Sequence, residues 1–136
     1  ISCIGLTLSL MSVRKKYHEE QTAVIDAFQR TALHMGKKVT VRTEAEVSMA
    51  DMRDVDCVVA MGGDRTFLRA AALITDRSTP ILGINTNREL YTGVLAPHYI
   101  DYDQMDDHAS ALLEAMDDDH AVGFEKRSRI KYHKER

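Results

Sequence analysis

Five consecutive apolar residues, Cys57-Val58-Val59-Ala60-Met61, stand between Asp56 and the pair Gly62-Gly63. A strand on a half-open sheet alternates apolar and polar residues, so an unbroken run needs cover on both faces, as in a parallel sheet between helices. The next stretch meets that demand. Phe67, Leu68, Ala70, Ala71, Ala72, Leu73 and Ile74 are largely good helix formers, and their stretch ends near Asp76 to Pro80. A second apolar strand, Ile81-Leu82-Gly83-Ile84, comes next. Strand, glycine turn, helix and strand make a right-handed βαβ unit, so Gly62 to Asp64 and Asn85 to Asn87 are predicted to face one crevice at the carboxyl edge of the sheet.

The flanking sequence extends the pattern. Ile1 to Leu10 is apolar without a basic leader or a small-residue cleavage site, and reads as a first strand rather than a signal peptide. Between His18 and Met35 the residues Val24, Ile25, Phe28, Ala32 and Met35 recur at spacings of three and four, which predicts one buried helical face ending at Gly36. Val39 and Val41 then alternate with Lys38, Thr40 and Arg42 in a short strand. Glu44 to Asp54 reads as a polar connection with one helical turn. A last helix is expected around Asp107 to Met116, with Ala109, Leu112, Leu113 and Met116 inward. From Phe124 the chain carries six positive and two negative side chains and reads as a strand beginning.

Composition closes off several classes. With 136 residues, 44% hydrophobic and 29% charged, the chain is a single globular domain and not a disordered segment. A net charge of −3 argues against a nucleic-acid backbone or an anionic membrane as partner. No apolar run approaches the roughly 20 residues of a membrane-spanning helix. Cys3 and Cys57 form neither a zinc clamp nor a disulfide framework, which fits a reducing compartment. A start at Ile1 suggests a piece of a longer polypeptide, or a later start at Met11. The aspartates at 101, 103, 106, 107 and 117–119 lack the spacing of a calcium loop, and the six histidines form no metal-binding pair, so no protein-held metal is expected.

Gly62-Gly63-Asp64-Arg65-Thr66 is where chemistry is expected. Glycines between a strand and a helix let the backbone approach a ligand, and the helix start offers unpaired N–H groups and partial positive charge to a phosphate. A carboxylate there would repel that phosphate. Asp64 is therefore explained either as an acceptor for the proton of an attacking hydroxyl, or aid to a phosphate-bridging metal, or simply as a helix N-cap.

Gly-Gly-Asp-x-Thr-Phe-Leu after a buried strand resembles the Gly-Gly-Asp-Gly-Thr signature of NAD kinases, shared with diacylglycerol and sphingosine kinases. Pro80-Ile81-Leu82-Gly83-Ile84-Asn85-Thr86-Asn87 is similar to the Gly-Ile/Val-Asn segment that comes next in NAD kinases, and speaks against a lipid kinase. Arg88 to Leu95 and, loosely, Lys15-Lys16-Tyr17 resemble the branch that includes the mitochondrial NAD kinases. The resemblance implies a three-layer Rossmann-like α/β domain over residues 1–123, with 124–136 opening a β-rich second domain whose Asn-Glu motif would follow Arg136. It implies transfer of a phosphoryl group from ATP, with Mg2+, to the 2′-hydroxyl of the adenosine ribose of NAD, making NADP. Inorganic polyphosphate is a further donor in members like the mitochondrial branch.

By the same resemblance Asp64 would be the catalytic base. Gly62, Gly63 and Thr66 would shape the nucleotide site, Phe67 would line the adenine side and Asn85 would order the pocket. A homo-oligomer in the mitochondrion or cytoplasm is implied, and the 136 residues alone are expected to be inactive. Arg65 stands where the family has glycine. If that position had positive φ, the side chain would cost about 1 kcal/mol of strain; otherwise Arg65 swings outward or meets a phosphate. A pseudoenzyme silenced by Arg65 is the alternative from another functional class.

Overall fold

A computed structural model describes residues 2–6, 15–76, 78–91 and 98–117. The expected strand after Phe124 and the domain boundary at residue 123 lie outside them. Strand β1 (Ser2–Leu6) leads to helix α1 (Lys15–His34) and strand β2 (Lys38–Arg42). A 3-10 turn at Met49–Met52 precedes β3 (Cys57–Gly62), α2 (Asp64–Leu73) and β4 (Ile81–Asn85). A two-residue strand, β5 (His98–Tyr99), a 3-10 turn at Tyr102–Gln104 and α3 (Met105–Asp117) complete the described chain.

The five strands are all parallel, in the order β2-β1-β3-β4-β5. The chain runs outward from β1 to β2, returns past β1 to β3, and continues the other way. Right-handed crossovers on opposite sides of that reversal must lie on opposite faces of the sheet. The packing agrees. Val24, Ile25, Phe28 and Ala32 of α1 share a cluster with Ala109 and Leu113 of α3, while Met52 of the 3-10 turn joins Ala70 of α2 and Ile74 in another.

β3 joins the two clusters. Cys57, Val59 and Met61 belong to the first, Val58 and Ala60 to the second, as the two-residue period of a strand requires. All six residues of β3 are buried, and full burial of a valine or methionine contributes about 1.5–3 kcal/mol each. The three-layer α/β architecture expected from the sequence is therefore present.

Three details differ from expectation. The sheet has a fifth strand, since His98 and Tyr99 extend β4 with the pairs Ile84↔His98 and Asn85↔Tyr99. Two residues are too few for a readable hydrophobic period. Met35 is exposed rather than on the buried face of α1, because the helix ends at His34 and the chain turns away through Gly36 at φ 79°. There Gly36 N–H donates to Leu33 O and Lys37 N–H to Ala32 O, both at 3.0 Å, a left-handed glycine stop. Finally, α2 ends at Leu73, so Ile74 reaches the core from an extended segment.

Several acidic residues are paired. Asp117 at the end of α3 meets the buried ammonium of Lys37, and Asp106 lies 3.5 Å from Arg30 of α1. The second pair is exposed on both sides and contributes little. Among the described residues no helix is long and apolar enough to cross a membrane.

Replacing Gly36 with alanine places a Cβ in a left-handed conformation, although nothing lies within 4 Å to clash with it. The expected loss is about 1 kcal/mol of backbone strain, measured as a lower midpoint in urea unfolding with the slope unchanged.

Candidate functional site at the carboxyl edge of β3 and β4

β3 ends at Gly62 and α2 begins at Asp64, so Gly63 alone makes the turn and is the N-cap of α2. It has no side chain to accept from the first-turn N–H groups. Those groups and the helix dipole form the positive end of α2. Asp64 is the first helical residue, half-buried, and not the cap; a carboxylate at this position is stabilised by the dipole. The N-cap explanation of Asp64 is thereby removed.

Gly62 pairs with Asn85 across the sheet, which brings the two segments expected to share a crevice side by side. Asn85 is buried and organises the turn after β4. Its Nδ2 donates to the carbonyl of Tyr91 at 3.1 Å, and its Oδ1 accepts from Asn87 N–H at 2.9 Å. Asn87 Oδ1 in turn accepts from Glu89 N–H at 3.0 Å, and Tyr91 N–H donates to Asn87 O at 3.0 Å. The side-chain oxygens of two asparagines thus replace a ladder partner for the turn, which the amide geometry allows.

The turn is also held from outside. Arg88 Nε donates to Asp101 Oδ1 at 2.9 Å, Nη2 donates to Oδ2, and the guanidinium lies 3.7 Å from the centre of the Tyr99 ring. The hydrogen bonds to Asp101 raise the Arg88 pKa above its ordinary value. Asp101 N–H donates to His108 Nδ1 at 3.0 Å, and that imidazole meets the Tyr99 ring edge to face at 5.4 Å.

Tyr91 is the residue that sequence reasoning missed. Its ring lies against Gly63 so closely that a Cβ there would stand 2.6 Å from Cδ1 and 2.9 Å from Cγ. The absence of a side chain at residue 63 admits this ring. Only the family likeness of the segment Arg88 to Leu95 drew attention to Tyr91, and nothing in its pattern pointed to the glycine turn. The phenol oxygen accepts from Gln21 Nε2 of α1 at 3.1 Å. Among the described residues the buried atoms His18 Nδ1, Gln21 Oε1, Glu44 Oε1 and Thr86 Oγ1 have no hydrogen-bond partner.

The remaining expected residues are spread over α2. Thr66 is buried and lines a cavity of about 240 Å³ with Glu44, Val47, Arg69, Ala70 and Leu73. Phe67 is half-buried against Met52, Val58, Ala60, Ala70 and Ile74, so its ring fills the core beneath α2. Arg65 is exposed within the helix, and Asp54 is the only non-glycine residue with positive φ among those described. The strain condition on Arg65 is therefore not met, and the side chain points outward.

A doubly wound α/β domain with a glycine turn and an acidic helix start at its central strand is the class these features define. Residues 6–115 match the family model described as the ATP-NAD kinase N-terminal domain, and the chain belongs to that family. It is 40% identical over 65 residues to an NAD kinase of Bdellovibrio bacteriovorus, covering 48% of this chain and 20% of that protein. It is 35% identical over 78 residues to an NAD kinase of Desulfatibacillum aliphaticivorans, covering 51% and 27%. The human protein named NAD kinase 2, mitochondrial, is 32% identical over 78 residues, covering 57% and 18%. The chain thus matches between about a fifth and a quarter of the length of these relatives.

Two substitutions check this geometry by equilibrium unfolding. Gly63→Ala is expected to cost about 1–3 kcal/mol through overpacking against Tyr91, with part of that loss recovered when Tyr91→Ala is added. Arg65→Gly is expected to lower stability by up to about 1 kcal/mol, as for glycine placed in a helix, whereas relief of strain would raise it.

Proposed function

We propose that this chain provides the catalytic turn of an NAD kinase, which moves the terminal phosphoryl group of ATP to the 2′-hydroxyl of the adenosine ribose of NAD. The observation that carries the reading is Asp64, a carboxylate set at the start of α2 directly after a side-chain-free cap, with Asn85 alongside. Phosphoryl transfer asks chiefly for positioning and neutralisation of charge. The open N–H groups of α2 would hold phosphate oxygens. Asp64 would take the proton of the hydroxyl as its oxygen bonds to the γ-phosphorus and ADP departs.

Magnesium would travel with the triphosphate. A hard cation of this kind keeps several waters and takes one or two carboxylates, and Asp64 is a suitable oxygen donor at the turn. Bound there, the ion would supply charge neutralisation at the phosphates. Gly62, Gly63 and Asn85 would fix the crevice wall, and Arg65, pointing outward, is free of the strain that would silence the site. A homo-oligomeric enzyme in the mitochondrion or the cytoplasm is part of the proposal; the similarity to the human mitochondrial relative supports the first location.

The test is NADP formation by the intact protein with ATP, magnesium and NAD. Turnover is expected in the parent, with a loss of at least about 100-fold in Asp64→Asn, the low end for removal of a general base. Phosphorylation of diacylglycerol or sphingosine in place of NAD would instead make it a lipid kinase. Absence of turnover with either acceptor would return the chain to the non-catalytic class.

A further inference from the structure

Gln21 lies one turn before Val24 and Ile25 of α1 and is 1% exposed. An amide in a core otherwise built of valine, isoleucine and phenylalanine gives up its hydration, and a leucine would avoid that cost. Gln21 Oε1 has no partner among the described residues. The hydrogen bond the side chain does make runs from Nε2 to the phenol oxygen of Tyr91, seventy residues further on.

That phenol is the far end of a ring fixed at its other end too. The Tyr91 carbonyl accepts from Asn85 Nδ2 and its N–H donates to Asn87 O, so the main chain is tied to the end of β4. The side of the ring formed by Cγ, Cδ1 and Cε1 lies against Gly63, the residue immediately before Asp64. Tyr91 therefore links α1, the end of β4 and the glycine turn. Rotation of the ring away from Gln21 would open space above Gly63, the one residue between β3 and α2.

We propose that Gln21 and Tyr91 form a positioning pair, in which the amide holds the ring on Gly63 and the ring fixes the turn that aims Asp64. The pair acts through the turn and touches no reacting atom. Its catalytic consequence rests on the kinase reading, while its mechanical consequence does not.

Three variants of the intact protein separate these: Tyr91→Phe, which keeps the ring and removes the hydroxyl; Gln21→Met, which keeps the length and removes the donor; and both together. NADP formation and hydrogen exchange of the Gly62–Thr66 amides are measured for each. Each single variant is expected to lower kcat about tenfold, the kinetic equivalent of one hydrogen bond, with KM for NAD and ATP within about twofold. The double variant is expected to match the singles, since both remove one interaction. Exchange at Gly62–Thr66 is expected to quicken in all three.

Unchanged kcat with unchanged exchange overturns the proposal, as does a double variant whose loss is the product of the two singles. A uniform drop in unfolding midpoint without either effect also overturns it, leaving a purely structural contact. If the parent has no turnover, the kinase reading falls and exchange alone decides: faster exchange supports the pair, and parental exchange overturns it.

Discussion

Burial of β3 on both faces is the constraint on which the rest of the domain depends. A strand with no polar residue between Asp56 and Gly62 can lie only at the centre of a layered sheet, so it demands apolar cover from two independent sets of helices. α1 and α3 give one and α2 with the Met49–Met52 turn gives the other. Because the winding of the sheet reverses between β1 and β3, the crossovers after these two strands depart to opposite faces, which is where such a sheet is expected to leave a crevice. Stability and the location of the site thus have one cause.

At that crevice the packing changes character. The strands are held by apolar contact, whereas the 85–91 turn is held by amides, a guanidinium and a phenol. Such bonds are directional, so they fix the angle of a turn in a way that apolar contact does not. Among the described residues, buried side-chain atoms of His18, Gln21, Glu44 and Thr86 have no hydrogen-bond partner.

Much of this is readable in the sequence where one strong pattern decides the structure. The run 57–61, the face Val24, Ile25, Phe28 and Ala32, and the shared sheet edge of Gly62 and Asn85 each come from hydrophobic period and the handedness of a βαβ unit. What the pattern hides is decided by contacts far apart in the chain. β5 is a strand only because β4 lies beside it, and no two-residue segment carries a period. The ring of Tyr91, 28 positions later, leaves no room for a Cβ at Gly63, and Arg65 is acceptable because helix α2 has already begun there. Sequence spacing contains neither the approach of Tyr91 to Gly63 nor the residue at which α2 starts.

The placement of Asp64 shows why these non-local contacts matter. A carboxylate at the first position of a helix gains from the dipole whatever its surroundings, so its charge alone says little about function. Its direction is another matter. With a single residue between β3 and α2, a small rotation at Gly63 swings the whole first turn, and a general base must stay within hydrogen-bond reach of the hydroxyl it serves. A bare glycine has the widest conformational freedom of any residue, so the turn that leaves the helix N–H groups open is also the least able to hold itself. The ring of Tyr91 occupies the space a side chain at 63 would fill, and under the proposed pairing with Gln21 it would restore from outside the rigidity that glycine gives up. On the kinase reading, a turn that holds phosphate and a carboxylate held in one direction would thereby be compatible in one three-residue stretch.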